Sequence, residues 1–208
     1  SPFKLPLNAK LHDGDPLVFE GLPGLFNDSL PDGWGLLLID RKLRSLNIDH
    51  HDITVLDRLA FVGKHGMGAL TYEPAYTDTH TDSPIHLDTL AQNIQTVLEG
   101  STQDVIDTFL TINGSSAGAR PKITVTLSPD KQHIHNPSDL DTKHLENWII
   151  KFSNSQDGPD AGAIEYCYAK MALDAGVSIM PTHLFPSKTG PGYFGTQRFD
   201  RTASNRLH

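Results

Sequence analysis

The stretch INGSSAGARPKITVTL, residues 112–127, passes from a Gly/Ser loop directly into a strict polar–apolar alternation. Alternation of period two predicts a strand with one buried face. A loop of small residues entering such a strand can turn several backbone N–H groups onto one anion. The loop carries Ser115, Ser116, Gly118 and Lys122, but not the spacing of a Walker A loop or a Gly-x-Gly-x-x-Gly turn. A plain Ser/Gly turn before a strand is the ordinary alternative, so its meaning depends on the residues C-terminal to it.

Those residues come in a definite order. SPDK reads as a turn, HIH (133–135) as a return strand, and NWIIKFS as a strand over about 147–152. Lys151 sits in that strand between Ile150 and Phe152, where a lysine costs free energy unless it has a partner or faces water. The next segment, DGPDAGAIEYCYAKMALDAG, predicts a helix with Asp160 near its start and Gly176 past its end. Its expected inward stripe is Ile164, Cys167, Tyr168, Met171, Ala172 and Ala175, which makes Cys167 a core residue. Glu165, one step from that stripe, can face the sheet and meet Lys151; the alternative is a surface glutamate and an edge-strand lysine. His183–Phe185 and Gly192–Phe199 close the chain as a hairpin.

The first half is mixed. Phe3–Leu7, Leu17–Phe19 and Leu22–Phe26 are short apolar pieces divided by Asp, Gly and Pro, as strands and turns would be. Leu36, Ile39, Leu43 and Leu46 recur at helical spacing, with Asp32 placed to cap the start. A second helix is expected from Asp52, with Ile53, Leu56, Leu59 and Ala60 inward, then a strand at Ala69–Tyr72. Residues 73–86 suit a linker, and helices are expected over about 87–99 and 102–111. The expected fold class is α+β, with a small N-terminal unit over 1–86 and a second unit over 87–208.

A net charge of −8 argues against a general nucleic-acid or anionic-membrane binder. One cysteine excludes an internal disulfide framework and fits a reducing compartment, and no apolar run has the length of a membrane span. The expectation is a cytoplasmic protein. Asp49–Asp52 (DHHD) and His133–His135 invite a metal reading, but neither supplies the converging ligands a zinc site needs, so no metal site is expected on this chain.

GSSAGARPK, WIIKFS, AIEYCYAKMALDAG and GYFGTQRFDR resemble, in order and spacing, the HipA family of bacterial serine/threonine kinase toxins of toxin–antitoxin modules. FNDSLPDGWGLLLIDRKL is similar to that family's N-terminal subdomain. The resemblance implies a kinase-like N-lobe over 87–208, an antiparallel sheet with one regulatory-type helix, and a C-terminal lobe that is missing. It implies ATP phosphates on the loop Ala117, Gly118, Ala119, Arg120, Pro121 and Lys122, with Lys151 as the ATP lysine and Glu165 as its helix partner. Gln197, Arg198 and Phe199 would form the hinge beside adenine through main-chain groups, and Ser115 would be the autophosphorylated serine. Arg120 stands where many relatives carry Gln.

The resemblance further implies Mg2+ with ATP, a small helix-turn-helix antitoxin as partner, DNA contacted only through that antitoxin, and a protein substrate such as an aminoacyl-tRNA synthetase. No His/Arg-Asp catalytic loop with a downstream Asn and no Asp-Phe-Gly-like metal site occurs in the 208 residues. The chain is therefore expected to be the N-terminal region of a longer kinase, inactive alone. The alternative is a non-catalytic binding or regulatory subunit of a split toxin–antitoxin kinase.

Overall fold

The computed structural model describes residues 14–76, 85–100, 103–113, 118–136, 144–154, 156–202 and 205–207. The chain is α+β. A short helix α1 (Gly24–Asn27) precedes α2 (Gly33–Ser45), which buries Ile39 and Leu43 of the expected stripe together with Trp34 and Leu38, while Leu36 is half-buried and Leu46, past the helix end, is exposed. α3 (Val55–Val62) starts three residues later than expected, because Thr54 and Asp57 form a reciprocal capping box there. Asp52 belongs instead to a single 3-10 turn, His50–Asp52, and Leu56 faces water. α4 (Leu87–Glu99) ends at Gly100 in the left-handed region, and α5 (Gln103–Asn113) follows it.

Five strands make one antiparallel sheet: β1 (Lys122–Leu127), β2 (Ile134–His135), β3 (Glu146–Lys151), β4 (Thr182–Phe185) and β5 (Tyr193–Gln197), in the order β2-β1-β3-β5-β4. The period-two pattern puts Ile123, Val125, Trp148 and Ile150 on one face. That face packs with Ile94 and Val97 of α4, Ile106 and Phe109 of α5, and Trp34 and Leu38 of α2 in one hydrophobic cluster. Trp34 meets Phe109 edge to face at 5.6 Å, so the core runs continuously from α2 to the sheet.

The helix α6 (Ala161–Asp174) packs against β4 and β5. Here the expected stripe is wrong except at Ala172. Ile164, Tyr168 and Met171 are more than half exposed, and Cys167 faces outward too. The face turned inward carries Gly162, Glu165, Ala169 and Ala172. A Cβ on Gly162 would lie 2.3 Å from the Gly192 carbonyl oxygen, so small residues are what let this helix approach the sheet edge.

Three strand expectations are not met by the described residues. Leu17–Phe19 is a turn leading into a 3-10 turn at Phe19–Gly21, and most of Leu22–Phe26 belongs to α1. Ala69–Tyr72 forms no strand; the Tyr72 N–H goes back to Gly63 at 3.0 Å. Phe3–Leu7 lies outside the described residues. No helix among them is long and apolar enough to cross a membrane.

Candidate functional site

The register of β1 on β3 sets Lys122 directly opposite Lys151, on the face away from the main core. Directly opposed residues of an antiparallel pair stand on the same side of the sheet, about 5 Å apart at Cβ. Lys122 is 8% exposed. Burial, and then the positive charge of Lys151, hold its ammonium below the ordinary lysine value, while Asp32 and Glu165 pull the other way. Lys151 reaches α6 and forms an ion pair with Glu165, both side chains about one-third exposed. Its ammonium also lies 5.3 Å from the centre of the Phe194 ring, its neighbour on β5. Thus the strand lysine and helix glutamate singled out by spacing do meet, over a buried aromatic floor.

The end of the Gly/Ser loop closes over this face. Gly118 has φ +102°, and a Cβ there would stand 2.6 Å from Lys122 Nζ. Only glycine combines that backbone with that approach. Its N–H donates to the Asp32 carboxylate, and its carbonyl accepts from the Trp34 N–H at 3.2 Å. Gly33 abuts the next residue so closely that a Cβ would fall 2.6 Å from Ala119 Cα. Asp32 does occupy the position preceding α2, but its side chain makes no cap bond. It holds the loop instead.

Pro121 fixes the loop exit by accepting the Phe152 N–H at 2.9 Å. Arg120 is turned away, its guanidinium 2.9 Å from Asp157, and Ala119 is exposed. Ser115, Ser116 and Ala117 lie outside the described residues.

The other end of the face is the exit of β5. The Gln197 N–H goes to Pro181 at 2.9 Å and the Arg198 N–H to Asn147 at 2.8 Å. The Arg198 side chain is buried in a two-pronged pair with Asp200, and the Phe199 ring is 72% exposed. Sequence reasoning misses Asp32 in its loop-holding role, the Trp34 N–H that meets the Gly118 carbonyl, and Asp200 beyond the exit of β5. Residues far apart in the chain meet there, and no spacing rule connects them.

Chemically, the arrangement gathers two ammonium groups, with the Glu165 and Asp32 carboxylates acting on them, under a glycine loop, a setting that can take an anion. The chain also matches known families. Residues 1–73 match the family model of the HipA N-terminal domain, and residues 114–208 match that of the HipA-like C-terminal domain. No curated protein matches the chain.

Proposed function

This chain belongs to the HipA family, and on that premise we propose that the face bearing Lys122 and Lys151 binds ATP for a serine/threonine protein kinase of the toxin type. The observation that carries the reading is the opposed lysine pair, with Glu165 holding one member and the Gly118 turn closing over the other. In this reading the sheet with α6 is the N-lobe of the kinase, completed by a C-terminal lobe. Lys151 and Lys122 take phosphate oxygens, the loop Ala117–Lys122 lends backbone donors, and Glu165 keeps Lys151 from swinging into solvent. Gln197–Phe199 carry the adenine. Since the Gln197 and Arg198 N–H groups are taken by the sheet, Phe199 is the residue of the three whose N–H has no partner among the described residues.

Phosphoryl transfer to a protein hydroxyl forms a bond from that oxygen to the γ-phosphorus, breaks the bond to the β–γ bridging oxygen and releases ADP. The hydroxyl proton must pass to a base. Mg2+, when bound with ATP, would neutralise phosphate charge in that transfer. Among the described residues no three His, Cys, Asp or Glu side chains stand together as a metal site, so these residues do not by themselves make a site for Mg2+.

The remaining parts of the proposal follow from the family. Ser115 is the autophosphorylation site, and a phosphate there would add about −1.5 to −2 of charge and compete with ATP for the loop. The substrate is a protein, in the family manner an aminoacyl-tRNA synthetase. The partner is a helix-turn-helix antitoxin that makes the DNA contacts, and the compartment is the cytoplasm.

The test is calorimetric titration of the full-length protein with MgATP, beside phosphate incorporation mapped to Ser115. Binding that Lys151→Ala weakens at least about tenfold is the expected result. A full-length protein that binds no MgATP would overturn the assignment.

A further inference from the structure

The segment leaving β5 is tied to a distant turn by buried charge. Asp200 is 4% exposed. Its Oδ1 accepts from Arg198 Nε at 2.8 Å. Its Oδ2 accepts from Arg198 at 2.7 Å, from Arg201 at 2.8 Å and from the Gly68 N–H at 2.8 Å. Arg201 continues the contact, donating to the Gly68 carbonyl at 2.8 Å and the Gly66 carbonyl at 2.7 Å, and Arg206 donates to the Lys64 carbonyl. The 64–68 turn is neither helix nor strand, so these side chains supply hydrogen bonds that regular structure would otherwise give. The Arg198–Asp200 fork also straddles Phe199. With both flanking side chains locked to each other, the backbone orientation at Phe199 is fixed from either side.

We propose that Asp200 is a positioning residue, which couples the Lys64–Gly68 turn to the backbone of Phe199 and thereby sets how tightly the base of a bound nucleotide is held. The proposal rests on the ATP reading above and deepens it. It makes the N-terminal part of the chain touch the nucleotide face at both ends: Asp32 to Trp34 at the loop, Lys64 to Gly68 at the base. A contact at the base end has a signature that general stabilisation lacks. It acts on ligands that carry a base and not on a bare polyphosphate.

The experiment titrates the full-length protein with MgATP and, separately, with magnesium tripolyphosphate, which has no base. Asp200→Asn removes the carboxylate charge; Arg201→Lys keeps the charge but loses the planar fork that spans two carbonyls. Expected is a loss of about tenfold in MgATP affinity in both variants, with tripolyphosphate affinity kept within about twofold. Should Asp200→Asn fail to fold, Arg201→Lys decides alone. Equal loss for both ligands, or no loss for either, overturns the coupling while leaving ATP binding by the wild type intact. A wild type that binds neither ligand, or both equally, overturns the nucleotide reading itself and the proposal with it.

Discussion

Lys122 and Lys151 face each other across β1 and β3, two cations in direct register on one side of the sheet. Like charges so placed destabilise a sheet, and burial further disfavours the charged form of Lys122. The ion pair with Glu165 is one-third exposed at both side chains, which limits its worth to about 0–1 kcal/mol. Relief of the Lys122–Lys151 repulsion is of similar size and opposite sign. Lys151→Met should therefore leave the melting temperature of the nucleotide-free protein within about 2 °C. Affinity for MgATP should fall at least about tenfold. Melts and titrations on one preparation check both halves, and a large loss of stability without ligand would mean that the lysine is structural.

The loop is held from α2, and two glycines separate backbone strain from contact. Gly176 has φ +83° with nothing within 4 Å of where a Cβ would stand, whereas at Gly33, φ +41°, the Cβ would strike Ala119 and the Gly118 carbonyl. Gly176→Ala should cost about 1 kcal/mol, the penalty of a left-handed non-glycine residue. Gly33→Ala should cost more than about 2 kcal/mol, since backbone on both sides must move. Denaturant midpoints measure the difference. Hydrogen exchange at the 118–120 amides should rise only in Gly33→Ala.

Local pattern makes β1, β3, α4 and the β4–β5 hairpin legible, because each carries its own period and its own turn residues. Lys151 and Glu165 are legible too, since a charge in an apolar strand needs a partner and the next helix offers one. The inward face of α6 escapes periodicity for a physical reason. Periodicity weighs large apolar side chains, but a helix lying close on a sheet turns the small Gly162 and Ala169 inward, partly covered, and leaves Tyr168 and Met171 outside. Asp32 is legible as a residue preceding a helix, but its carboxylate serves Gly118, a partner defined only by tertiary structure. Ala69–Tyr72 has the residues of a strand but pairs with no strand among the described residues, a fact no local window contains.

The close approach of α6 gives a prediction about Glu165 that leaves Glu165 untouched. A Cβ at Gly162 would sit 2.3 Å from the Gly192 carbonyl oxygen and 3.0 Å from the Phe194 nitrogen, both backbone atoms, so the helix must lift. Glu165 lies one turn further along the same face and would be drawn off Lys151. Gly162→Ala should weaken MgATP binding about fivefold or more, an effect that Gly158→Ala, with open space around its Cβ, should not share. If the two variants bind alike, α6 position does not govern Lys151.

Acid should act through Asp200. Burial pushes its carboxyl up, but the Arg198 hydrogen bonds and charge, the Gly68 N–H and the Arg201 charge outweigh it, so the folded value lies below the ordinary 3.8. A depressed folded value means the unfolded chain binds more protons in that window. The contribution is therefore fully present above pH 3.8 and is lost as pH falls through the folded value. Asp57 and Asp88 are depressed as well, through Thr54 and through the Lys188 N–H with Tyr193, so acid sensitivity alone does not single out Asp200. Asp200→Asn does. It should be less stable near neutral pH by about 3 kcal/mol, because Arg198 stays buried without its counter-charge. Its urea midpoint should then fall less than the wild type's on acidification, so that the two curves converge below pH 3.8. Curves that stay parallel down to acid would show that Asp200 does not carry the depressed titration.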